Sequence, residues 1–174
     1  MRIELASLEE GRGEFSHDYA PDELVIDDDR LRVTQPPTVS GRISRDGRIV
    51  KVSGKLATRV QLECDRCLKP IELPVESNFK LEYASTEEYR AQQAVELSED
   101  DMNLVIFEGD AIDVDELVKD EIFLAVPEHT LCREDCKGLC PVCGVNRNSV
   151  DCNCKTTEVD PRWSGLKELV NGKS

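Results

Sequence analysis

Val50-Lys51-Val52-Ser53-Gly54-Lys55-Leu56-Ala57-Thr58-Arg59-Val60-Gln61-Leu62-Glu63-Cys64 is the stretch that decides the fold. Successive side chains of a strand point to opposite faces. Here Val50, Val52, Leu56, Val60, Leu62 and Cys64 share one face with Gly54 and Thr58, while Lys51, Ser53, Lys55, Ala57, Arg59, Gln61 and Glu63 share the other. One face is core and the other is wet, which is the pattern of an antiparallel sheet. On its N-terminal side, Arg45-Asp46-Gly47-Arg48 carries the Asp-Gly signal of a hairpin turn, preceded by a strand from Val39 to Ser44. Pro36-Pro37 bars a central strand and suits an edge or a bend. Further out, residues 9–30 are acidic and poor in apolar groups and read as loop, and Ile3 and Leu5 suggest a first strand. On its C-terminal side, a strand alternates from Ile71 through Leu73, Val75, Ser77, Phe79 and Leu81 to Tyr83. Residues 64–70, with Cys64-Asp65-Arg66-Cys67, become a tight connection between antiparallel strands. Pro74 assigns that strand to an edge or a bulge.

Residues 84–103 are polar and read as a surface excursion with a short helix. Leu104-Val105-Ile106-Phe107 reads as a short buried strand. Asp113 can cap a helix over 113–126, with Glu116 three residues on, and Pro127 ends it. Val114, Leu117, Val118, Ile122 and Ala125 fall on one face of that helix. Asp160-Pro161 is N-cap and N1 chemistry for a closing helix that carries Leu166, Leu169 and Val170. The expected fold is α+β: a mainly antiparallel sheet, a buttressing helix and a C-terminal zinc-binding appendage. The expected boundaries are a β-rich domain over 1–128 and a cysteine-rich tail with a terminal helix over 129–174.

The chain has 174 residues and a net charge of −14. That sign is wrong for a dedicated nucleic-acid binder, but the charge is uneven. Residues 40–69 hold eight cations (Arg42, Arg45, Arg48, Lys51, Lys55, Arg59, Arg66, Lys69) and three acids. No long uncharged apolar run offers a membrane span. Glu4, Glu9 and Glu10 lie where a signal peptide needs an apolar run. The expected location is the cytoplasm.

Eight cysteines without a secretion signal point to metal rather than to disulfides. The C-terminal cluster runs Cys132-x3-Cys136-x3-Cys140-Pro-Val-Cys143-Gly-x7-Cys152-x-Cys154. Cys-Pro-x-Cys-Gly forms a knuckle that presents two sulfurs, and Gly144 permits the turn. Zinc takes four such ligands in a tetrahedron. Two divisions fit the spacing. One zinc can take Cys140, Cys143, Cys152 and Cys154, and a second Cys64, Cys67, Cys132 and Cys136. Alternatively, a single zinc takes Cys136, Cys140, Cys143 and either Cys152 or Cys154, or uses His129 in place of a cysteine. Either way the zinc is structural. No phosphate loop, Gly-x-Ser-x-Gly or His-Glu-x-x-His is present, so the expectation is a non-enzyme with no small-molecule substrate.

Lys51, Lys55 and Arg59 project from one strand face, and Arg42, Arg45 and Arg48 extend the patch. It suits RNA phosphates, but it lacks the aromatic residues that base stacking needs. The acidic remainder suits a different partner, a basic ribosomal protein.

Four stretches resemble one family, YceD. Leu62-Glu63-Cys64-Asp65-Arg66-Cys67-Leu68-Lys69-Pro70 resembles its Leu-Glu-Cys-x-Arg-Cys signature. Asp120 to Pro127 is similar to its Asp-Glu-Ile-x-Leu-Ala-x-Pro helix, Cys136 to Gly144 to its knuckle, and Asp160-Pro161-Arg162 with Leu166 to its closing helix. Arg147 departs from the Leu common in its Gly-x-Asn-Leu-Asn stretch. The resemblance implies a role in accumulation of large-subunit (23S) ribosomal RNA, with precursor rRNA or a basic ribosomal protein as partner. Some relatives lack the C-terminal cysteines, which implies that zinc there supports folding.

Overall fold

The computed structural model describes residues 1–47, 49–86, 104–154 and 162. Its contacts divide the chain into two units. The first comprises residues 1–63 and 70–130, the second residues 64–69 and 131–174.

Among its described residues the first unit has a short 3-10 turn (Leu5–Ser7), seven strands and one α-helix: β1 (Arg2–Glu4), β2 (Arg12–Asp18), β3 (Arg32–Asp46), β4 (Ile49–Glu63), β5 (Pro70–Ser85), β6 (Leu104–Phe107), β7 (Ala111–Asp113) and α1 (Val114–Ala125). Five strands form one sheet in the order β2-β3-β4-β5-β6, and β1 pairs with β7. All neighbours are antiparallel except β5 and β6, which run parallel. The α+β reading with a mainly antiparallel sheet therefore holds. The expected alternation of β4 is realised: Val50, Val52, Leu56, Val60 and Leu62 are buried. Gly47, at φ +60°, makes the β3–β4 turn where an L side chain would be strained.

The core face has a cross-strand row that sequence alone does not reveal. Phe15 lies opposite Gly41, Gly41 opposite Gly54, and Gly54 opposite Phe79. The two buried rings lie over the two glycines: a Cβ built on Gly41 would sit 2.7 Å from Phe15 Cζ, and one on Gly54 2.6 Å from Phe79 Cζ. Thr58 is also on this face and is buried because its hydroxyl donates to the Gln35 carbonyl at 2.6 Å. That carbonyl lies where the β3–β4 register shifts around Pro36-Pro37. The prolines are tolerated because that shift leaves Pro36 and Pro37 without a register partner on β4, and on the β2 side Pro37 only accepts, from the Tyr19 N–H at 3.0 Å. Pro74 is tolerated likewise, since β6 joins β5 only at residues 82–85.

Several expectations are corrected. The loop expected over 9–30 contains β2, which escaped notice because Phe15 is its only buried side chain. Leu104–Phe107 is a strand but not a buried one: Val105 and Ile106 are 38% and 44% exposed, because β6 is the sheet edge among the described residues. On α1, Asp113 caps as expected, its carboxylate accepting from the N–H groups of Asp115 and Glu116. Ala125 is exposed, however, and Glu121 is buried in the apolar face, where it accepts a 2.5 Å bond from the Ser77 hydroxyl. The excursion expected over 84–103 starts later, since Ala84 and Ser85 belong to β5; its residues 87–103, and the closing helix at 160–170 apart from Arg162, lie outside the described residues.

Candidate metal centres and the exposed sheet face

The loop between β4 and β5 is the local origin of the first centre. The Cys64 N–H donates to the Lys69 carbonyl and the Leu68 N–H to the Cys64 carbonyl, both at 2.9 Å. This tight turn forces Leu68 to φ +58°. It turns N–H groups toward the first sulfur: Cys64 Sγ accepts from Arg66 and Cys67, and from Cys132 at 3.4 Å. The second knuckle has the same local design. Residues 139 and 146 form a β-bridge, Gly144 adopts φ +72°, and Cys140 Sγ accepts from the N–H groups of Val142 and Cys143.

Both knuckles belong to the second unit, and the sulfurs assemble into two quartets. Cys64, Cys67, Cys132 and Cys136 form one; Cys140, Cys143, Cys152 and Cys154 form the other. Within each, all ligand atoms lie within 4.8 Å of one another. None is disulfide-bonded. A tetrahedral ion with metal–sulfur bonds of about 2.3 Å requires sulfurs about 3.8 Å apart. The observed separations are 3.8 Å for Cys64–Cys136 and 3.6 Å for Cys67–Cys132. The first quartet has the spacing a metal ion needs, and the second is compact enough to hold one. Of the two divisions open at the sequence level, this is the two-site one, and His129 is in neither quartet.

The thiols are tuned unequally. Burial pushes Cys64 up, but the N–H groups aimed at its sulfur outweigh burial and hold it at about 6. The Cys143 and Val142 amides likewise hold Cys140 at about 6. Cys136 is lowered, with burial opposed by donation from the Asn148 side chain and the Gly138 amide. Burial and the neighbouring sulfurs push Cys132 up to about 12, and Cys143, followed by burial, does the same to Cys154. Each quartet thus holds a sulfur that is a thiolate at neutral pH, ready to receive a cation.

Sequence reasoning missed the residues that hold the first quartet in place. Asn148 Nδ2 donates to Cys136 Sγ at 3.3 Å and to Asn146 Oδ1 at 2.9 Å; Asn148 Oδ1 accepts from the Lys137 N–H at 2.9 Å and from Arg133 Nη2 at 2.7 Å. Arg66 Nη1 donates to the Cys136 carbonyl at 2.9 Å, and the Arg66 carbonyl accepts from Leu139 at 2.9 Å. Gly138 permits that approach, since a Cβ there would lie 2.9 Å from the Arg66 carbonyl oxygen. The available signal was the pair of asparagines flanking Arg147.

In the first unit, the register tests the basic face. Arg42, Lys51, Lys55 and Arg59 do share the exposed face. Arg45 does not: it pairs with Val50 on the opposite pleat, and its Nε donates to the Gly47 carbonyl. Arg48 lies outside the described residues. Three cations were missed: Arg12 opposite Ser44, Arg32 opposite Gln61 and Lys80 opposite Ser53. Arg12 sits on the unrecognised β2, whereas the parity of Lys80 on its predicted strand would have revealed it. Glu14 pairs with Arg42 at 3.1 Å and Glu82 with Lys51 at 3.7 Å. Lys55, Arg59 and Lys80 make no ion pair among the described residues.

A sequence profile described as large ribosomal RNA subunit accumulation protein YceD matches residues 52–170. The chain belongs to the YceD family. An uncharacterised protein of Mycobacterium tuberculosis is 32% identical over 72% of this chain and 58% of its own length, so the chain spans little more than half of that relative. The uncharacterised Bacillus subtilis protein YlbN is 28% identical over 90% of this chain and 87% of its own. A chloroplast protein of Zea mays, named large ribosomal RNA subunit accumulation protein YCED homolog 1, is 26% identical over 71% and 50%. No solved structure matches. The match to the YceD profile takes in β4 from Val52 on, the loop cysteines, α1 and both quartets. No helix among the described residues is long and apolar enough to cross a membrane.

Proposed function

We propose that this YceD protein is a non-enzymatic cytoplasmic factor that supports large-subunit rRNA accumulation by gripping the phosphate backbone of precursor rRNA, with a structural zinc ion in each cysteine quartet. One observation carries the RNA reading: the composition of the exposed quadrant formed by the turn-proximal halves of β2 to β5. Arg12, Arg42, Lys51, Lys55 and Lys80 fall there on one pleat, with Ser16, Ser40, Ser44, Ser53 and Asn78 between them and Glu14, Asp46 and Glu82 in opposition. Cations interspersed with hydroxyls and amides are the chemistry of phosphate contact. The quadrant has no aromatic side chain, so it reads backbone and shape rather than bases. Four thiols per quartet favour zinc and leave no open coordination position, which supports a structural rather than a catalytic metal.

Binding of a transcribed large-subunit rRNA fragment, titrated with salt, tests the reading. Five phosphate contacts give a slope of log K against log salt of about −4. The Lys55→Glu/Lys80→Glu variant is expected to reduce that slope by about 1.5–2 and to weaken binding. An unchanged slope and affinity would refute it.

A further inference from the structure

A second surface lies on the other face of the sheet in the first unit. A groove of about 720 Å³ runs between edge strand β6, the turn that follows it, and α1. Glu116, Asp120 and Leu124 are four residues apart on α1 and form one exposed stripe along its wall. Glu4, Glu108 and Asp110 add charge, and Val105 and Ile106 add exposed apolar surface. Among the described residues the one cation lining it, Arg2, is already paired with Asp113 at 3.1 Å. Leu124 is 80% exposed, which is costly for a large apolar side chain in water unless something covers it.

One further feature points to a ligand. β6 pairs with β5 on one side only, so its outer backbone edge is open among the described residues. An open edge beside a groove is the geometry for adding an extended segment. The chain's own residues 87–103 have the wrong sign to fill it, with six carboxylates against one arginine.

We propose that this groove docks an extended protein segment in which lysine or arginine alternates with apolar residues, its backbone adding to β6, its cations meeting Glu116 and Asp120, and its apolar side chains covering Ile106 and Leu124. This reading does not depend on RNA binding by the opposite face.

The probe is a short fluorescent peptide of alternating lysine and valine, titrated with the full chain and followed by anisotropy. A lysine–serine peptide of equal charge is the comparison. The lysine–valine peptide is expected to bind at least about tenfold more tightly, because only it can cover apolar surface. Glu116→Lys/Asp120→Lys is expected to weaken it by about tenfold or more, whereas reversing the remote acids Asp27 and Asp29 leaves it unchanged. Circular dichroism establishes that each variant is folded, and the milder Leu124→Ser variant is expected to weaken the lysine–valine peptide alone. Equal binding of the two peptides would overturn the proposal in favour of diffuse charge attraction. So would binding seen only after residues 87–103 are replaced by a glycine–serine linker, since the chain itself would then be the occupant. A dimer in sedimentation that Leu124→Ser dissociates would make a second copy the occupant and overturn it equally.

Discussion

Replacing Cys64 and Cys67 by serine should remove one metal ion per chain and leave the other. The structure sets the size of the effect. Cys64 is fully buried and Cys67 is 6% exposed, so neither sulfur can be replaced from solvent without opening the loop. A structural zinc site is worth about 10–16 kcal/mol at neutral pH. Losing two of four thiolates removes on the order of half of that, which lowers affinity by at least about three powers of ten. The assay is elemental analysis of protein purified under reducing conditions without chelator. Two ions per chain are expected in the parent and one in the variant. The second quartet shares no ligand with the first, so its ion stays. Far-ultraviolet dichroism should retain the β signal, because β4 and β5 keep their pairing from Ile49–Ala84 to Glu63–Pro70. Two ions retained in the variant would refute ligation by the loop, and none retained would refute the independence of the quartets.

Three further outcomes are expected. Asn148→Ala removes the donor to Cys136 and the acceptor for Lys137 and Arg133, and should weaken metal at the first quartet by about 10- to 100-fold in a competition with a chromogenic chelator, sparing the second. Gly54→Ala would put a methyl 2.4 Å from the Ser40 carbonyl oxygen and 2.6 Å from the Phe79 ring; chemical denaturation should show a loss of about 3 kcal/mol or more, and a loss below about 0.5 would contradict the packed row. Metal binding should release protons at neutral pH, because Cys132 and Cys154, pushed up to about 12, are still thiols there and must ionise to ligate. Since protons and metal compete for the same sulfurs, affinity falls as pH falls, and falls further below about 6, where Cys64 and Cys140 protonate too. An indicator dye in weak buffer reads the release, and no colour change on zinc addition would contradict the assigned thiol states.

The sequence by itself determined what rests on local periodicity and on residue type. The alternation of β4 is set by which side chains water rejects, so Val52 and Val60 named the core face before any partner strand was known. Asp113 announced its cap through three residues of local chemistry, and the Cys-x-x-Cys knuckles announced theirs through spacing. Only the tertiary structure decided what depends on distant residues meeting. β2 has one buried side chain, so its pairing with β3 creates the strand, and with it the place of Arg12 beside Lys51. Glu121 could be buried because Ser77, 44 positions away, supplies a hydroxyl. Two quartets rather than one site follow from Cys64 and Cys67 meeting Cys132 and Cys136 across more than 60 residues, a closure that no spacing rule encodes. The groove beside β6 is of the same kind: Tyr83, Ile106 and Leu124 carry no shared pattern in the chain, and they become one surface only because a parallel edge strand and a helix are folded side by side.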